Sequence, residues 1–187
     1  MPTTFSPPNR PHSFTTTFDT QSTPTAPYGG EPNSPVRFLD DAACRAVIQR
    51  VNPKLVPHFD KETQVMYKAD VCCVAALYEE GGYYFDVDIA VIEPLPLDAD
   101  VGFSTSFEPR KTNFLQAFIA AAPQHPIFKE ALRIMLAYYE GTHTLHGWMG
   151  TSTLKDAHDA VPVDERGTIR WLHEMQLKPG ELPKLRQ

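Results

Sequence analysis

Cysteine is scarce in this 187-residue chain, with only Cys44, Cys72 and Cys73. An odd count with an adjacent pair argues against a disulfide framework. The expectation is three buried cysteines serving as small hydrophobes. Neighbours on a helix diverge by about 100°, so Cys72 and Cys73 should face different sides of theirs. Basic residues are also in deficit, 17 Lys and Arg against 23 Asp and Glu, for a formal net charge of −6. That balance argues against nonspecific nucleic-acid binding, in which Lys and Arg neutralise phosphates. It leaves room for one diphosphate held by a metal ion or a few local cations. No apolar run approaches the roughly 18–20 residues of a membrane span. The N-terminal region lacks the basic start, apolar middle and small-residue cleavage site of a signal peptide. A soluble chain is expected, cytoplasmic by default, with a Golgi or other secretory lumen fitting only if the N-terminus is incomplete. A Gly-rich phosphate loop and a Ser-His-Asp ordering are missing too.

What is present suffices for one domain with a sizeable core, since 42% of residues are hydrophobic and 21% charged. Residues 1–35 are rich in Pro, Thr and Ser and bury too little apolar surface to offset the entropy of ordering. They read as a disordered tail, with Phe5, Phe14 and Phe18 as the side chains able to dock. Residues 36–187 read as the folded domain. Asp40-Asp41 offers an N-cap, and Cys44, Val47, Ile48 and Val51 recur at helical spacing until Asn52-Pro53 stops them. A second helix runs from about Thr63 to Glu80 and ends at Gly81-Gly82.

The period then changes. From Phe85 the chain alternates, with Phe85, Val87 and Ile89 on one strand face and Asp86 and Asp88 on the other. A further strand is expected around Val101 to Ser106. Two helices follow, one marked by Phe114, Ala117, Phe118 and Ala121, the next opened by Pro126 and marked by Phe128, Ala131, Leu132 and Met135. The glycine-bearing loop from Gly141 to Gly150 leads to a short helix near Ser152 to Ala160. Residues 163–187 hold too few apolar groups to assign. Helices mixed with apolar strands indicate an α/β layered domain, whose ligands gather beyond the carboxyl ends of strands.

Asp86 and Asp88 form the constellation with chemical content. Two carboxylates two residues apart on one strand face can approach one hard divalent cation such as Mn²⁺ or Mg²⁺. That cation can bridge a diphosphate and stabilise the charge on it as it departs. An EF-hand register starting at Asp86 fails, because Ala90, Val91 and Leu97 would stand where oxygen ligands and the turn glycine are required. Among other candidates, His143 and His146 flank Thr-Leu with no third ligand in view. Ser104, Thr105 and Ser106 read as strand-end hydroxyls ahead of substrate contacts. Glu108 and Asn113 stand where a substrate could be touched or as plain surface polarity. Trp148 reads either as a core anchor or as a ring that stacks on a sugar.

The run from Lys68 to Leu95 resembles the sugar-binding region of DXD-containing glycosyltransferases, the family 32-type group of initiating α-1,6-mannosyltransferases and capsular polysaccharide transferases. The matching positions are Asp70 opening the helix, Leu77-Tyr78 near its end, Gly81-Gly82, Tyr84, Asp86 and Asp88. Arg37 to Asp41 and Asn113 to Pro126 are similar to flanking segments of the same family, the second to a helix ending at His-Pro. The resemblance implies a GT-A-type α/β nucleotide-diphospho-sugar transferase fold and a UDP- or GDP-linked sugar donor with Mn²⁺ or Mg²⁺. It also implies retaining transfer to a hydroxyl of a glycan, lipid or protein acceptor. It assigns Asp70 and Tyr84 to the donor nucleotide, and Asp86 and Asp88 to donor and metal. The chain departs from the family pattern in three ways. Cys73 stands where the family has Arg, removing a planar guanidinium whose fork a thiol does not replace. No Ile-Pro-Lys-type first strand precedes the domain, and Gly150-Thr151 stands where the family often has Gly-Pro. A fold incomplete at both ends follows, and with it the alternative of a catalytically impaired binding module.

Overall fold

The computed structural model describes residues 17–18, 37–86, 100–107 and 113–173. They form a mixed α/β domain. Asp40 caps the first helix by accepting from Ala43 N at 2.8 Å. Helix α1 (Asp41–Val51) buries Cys44, Val47 and Ile48 and stops at Asn52. A 3₁₀ turn (Pro53–Leu55) and a short helix α2 (Val56–Lys61) follow; neither is expected from the spacing. Helix α3 (Val65–Glu80) buries every residue from Val71 to Leu77. A stretch this apolar all round marks a helix packed on several sides. Gly81 ends it at φ +67°, the left-handed region that glycine adopts without strain.

The sheet is built from β1 (Thr17–Phe18), β2 (Arg37–Phe38), β3 (Gly82–Phe85), β4 (Val101–Phe107), β5 (Phe114–Ala121) and β6 (Thr168–His173). Their order is β2-β1-β3-β5-β4-β6. Four longer strands form its body, antiparallel except for the parallel pair β4–β6. Helices α4 (Pro126–Tyr139) and α5 (Met149–Ala160) join α1 and α3 in a layer on one face. Tyr84, Phe103, Phe114 and Ile119 point into that layer, while Tyr83, Phe85, Phe118 and Ala120 cluster separately. Among the described residues no helix is long and apolar enough to cross a membrane.

Four expectations change. Phe114–Ala121 is a strand, not a helix. Where almost every residue is apolar, helical and strand periods both fit, and here backbone pairing with β3 and β4 on both sides decides. Cys44 and Cys72 are joined in a disulfide between α1 and α3, with Cα atoms 5.1 Å apart, and Cys73 alone is free. The spacing along the chain gave no sign that these two helix faces meet. Residues 168–173 form the strand β6, paired with β4, inside the stretch that could not be assigned. Thr17–Phe18, from the segment expected to be a tail, pairs with β2 and β3; the rest of residues 1–35 lies outside the described residues.

Candidate functional site

Asp70 lies one turn into α3 and is partly buried. Its carboxylate accepts from Gly150 N at 2.8 Å, at the first turn of α5. The Gln116 amide, turned so that its nitrogen faces acceptors, donates to Asp70 Oδ1 at 3.1 Å and to Gly150 O at 3.2 Å. A Cβ at Gly150 would stand 1.3 Å from the Gln116 amide and 2.5 Å from Asp70 Oδ1, so any larger residue here forces these two side chains to shift. Burial pushes the Asp70 carboxyl up to about 7; the Gly150 N–H pulls it down, and the nearby charge of Asp86 pushes it further up.

Asp86 directly follows β3. Its backbone N–H donates to Ala117 O at 2.9 Å, so it stays on the ladder one step beyond the strand. Its carboxylate accepts a hydrogen bond from the Tyr84 hydroxyl. Tyr84 and Asp86 share a sheet side, as residues two apart on a strand must. Burial first, then the thiol and carboxylates around it, holds the Tyr84 phenol well above its usual value, so it stays a proton donor. The same burial, with Asp70 and Asp86 near, holds Cys73 as a neutral thiol. Cys72 turns to α1 and Cys73 to this cluster, the divergence expected of helical neighbours.

The sheet positions Gln116 through an irregularity. The β4–β5 register slips between Thr105 and Ser106, and Thr105 Oγ1 fills the gap by donating to Leu115 O or Phe118 O, at 2.8 and 2.9 Å. Bulges of this kind re-aim side chains. Here Gln116 lands on the helix side of the sheet beside Asp70. Thr105 is therefore buried scaffold rather than a substrate contact.

Of the four site residues expected from the sequence, Asp70, Tyr84 and Asp86 meet in one cluster. Asp88 lies outside the described residues, as do Val87, Ile89 and Glu108. Among the described residues no group of three His, Cys, Asp or Glu side chains is arranged to hold a metal ion. His143 instead bonds Asp156 at 3.2 Å, and His146 is exposed. Sequence reading missed Gln116 and the contact role of Gly150. The one polar residue in the apolar run from Phe114 to Ala122 was the available signal, since a buried amide needs partners.

No curated protein and no solved structure matches the chain. Residues 31–108, which include Asp70, Tyr84, Asp86 and Asp88, match the family model of the glycosyltransferase sugar-binding region containing a DXD motif, and so point to a transferase of glycosyl groups.

Proposed function

We propose that this chain is a GT-A-type, metal-dependent glycosyltransferase domain that moves a sugar from a UDP- or GDP-linked donor to an acceptor hydroxyl, with retention of configuration. The observation that carries this reading is the convergence of two carboxylates, Asp70 and Asp86, at the carboxyl end of β3 within the matched region. Bringing like charges together in a buried place is unfavourable without a compensating cation or ligand.

Asp86 and Asp88 are the residues that would hold Mn²⁺ or Mg²⁺. Their hard oxygen donors suit those ions, which commonly take one or two carboxylates and complete their shell with phosphate oxygens and water. When bound, such an ion supplies Lewis-acid stabilisation to a departing diphosphate. Tyr84 orients the Asp86 carboxylate through its hydroxyl. Asp70 binds the donor and is itself held by Gly150 and Gln116. Calorimetric titration with UDP- and GDP-sugars, with and without Mn²⁺, tests the reading. Metal-dependent heat with either donor is expected, and silence with both contradicts it.

One observation favours a second reading, a binding module without transfer. Cys73 is fully buried as a thiol, so this position supplies no cation to a donor phosphate. Donor binding that appears only in Cys73→Arg would mark that alternative.

A further inference from the structure

We propose that Trp148 is the stacking platform of a carbohydrate subsite at the rim of the Asp70 cluster, taking the C–H face of a pyranose ring of the acceptor. This identifies the acceptor as a glycan and rests on the glycosyl-transfer reading above.

The chain has two tryptophans. Trp171 is packed, with ring centroids 4.8 Å from Phe107 and 5.0 Å from Phe114. Trp148 is 64% exposed. Tryptophan is strongly buried on average, so this exposure calls for a cause. Neither ordinary role supplies one. The side chain does not anchor the core, and it makes no capping bond although it sits at the N-cap of α5, where a short polar residue stabilises a helix.

The backbone beneath the ring is fixed. Trp148 O accepts from Ser152 N at 3.0 Å and from Thr151 Oγ1 at 3.3 Å. The loop leading to it is tied down by Thr142 N and His143 N on Ala137 O, by His143 on Asp156, and by Leu145 against the core. A large rigid ring offered from an ordered backbone loses little entropy when it binds.

Its location gives the ligand class. Trp148 is two residues from Gly150, whose N–H sits on Asp70, so their Cα atoms are within about 7 Å. At the preceding residue, Ser152 Oγ and Asn113 Nδ2 lie 2.9 and 3.7 Å from where a Gly147 Cβ would be. The Ser152 hydroxyl is buried and has no hydrogen-bond partner among the described residues. An exposed indole on the chain between Gly147 and Gly150, whose neighbours are a hydroxyl, an amide and a carboxylate, matches a sugar, which presents C–H groups on its faces and hydroxyls around its edge.

Intrinsic fluorescence of the full chain tests this, because Trp171 is the only other indole and is packed. The probes are free neutral disaccharides of glucose, galactose and mannose, at up to tens of millimolar, with acrylamide as quencher. At least one disaccharide should shift the emission to the blue and protect the exposed component saturably. By calorimetry that disaccharide should bind Trp148→Ala about tenfold more weakly, the loss expected for one aromatic contact, while Trp148→Phe keeps most of the affinity. Circular dichroism of both variants should match the parent. No protection by any disaccharide, alongside metal-dependent donor heat, overturns the Trp148 subsite and leaves the transfer reading standing. Protection without donor heat supports the subsite and counts against transfer, and silence in both titrations overturns both.

Discussion

The Asp70 carboxylate accepts the backbone N–H of Gly150 at 2.8 Å, joining α3 to the first turn of α5 across 80 residues of sequence. Gln116 closes the triangle from β5. Three elements thus meet at one partly buried carboxylate. The helix N-terminus favours its charged form, whereas burial and Asp86 favour the neutral one and prevail.

Gly150→Ala should break this junction. The added methyl would stand 1.3 Å from the Gln116 amide and 2.5 Å from Asp70, with both groups confined. Overpacking of this kind costs about 1–3 kcal/mol and more when the neighbours cannot move. A lower urea midpoint with an unchanged slope is the expected result.

Asp70→Asn should separate stability from function. With the folded carboxyl at about 7 and the ordinary value at 3.8, the folded state binds more protons than the unfolded state between them. The contribution of Asp70 to stability is therefore complete below about 3.8 and is lost as pH rises through 7. The amide cannot ionise and still offers an oxygen to Gly150 N. Relative to its low-pH offset, the variant should gain on the parent by up to about 4 kcal/mol by pH 8. Donor binding should fall at the same time. A constant stability difference across this range, followed by urea melts, would contradict the buried, shifted carboxyl.

The site was legible in the sequence where it depends on local pattern, and hidden where it depends on contacts between distant elements. Alternation from Phe85 placed Asp86 on the face opposite Phe85, and the structure extends that pleat back to Tyr84, whose hydroxyl bonds the Asp86 carboxylate. The divergence of Cys72 and Cys73 was equally local. The pairing of Cys44 with Cys72 was not, because it depends on how α1 crosses α3. Gln116 was obscured by the helix-like spacing of Phe114, Ala117, Phe118 and Ala121. Only the ladder and the slip at Thr105 make that segment a strand and turn Gln116 to the helices.

The Cys44–Cys72 bond spans 28 residues. Cross-linking a loop of that length stabilises by about 3–4 kcal/mol in the chain-entropy model, and such bonds persist in oxidising compartments. Reduction, or Cys44→Ser with Cys72→Ser, should lower the stability in urea by an amount of that order. In the oxidised native protein Cys73 should resist alkylation, since it is fully buried and stays a thiol. Peptide mapping that finds a Cys72–Cys73 or Cys44–Cys73 link would contradict the pairing.

In the proposed function, Asp86 belongs to a metal site used by a nucleotide-diphosphate donor. Electron paramagnetic resonance of Mn²⁺ with UDP or GDP reads this directly, because the free-ion signal falls as the ion is bound. Saturable uptake by the parent chain is expected, enhanced by the nucleotide and abolished in Asp86→Asn with circular dichroism unchanged. Equal uptake by parent and variant, or none by the parent with either nucleotide, would contradict it.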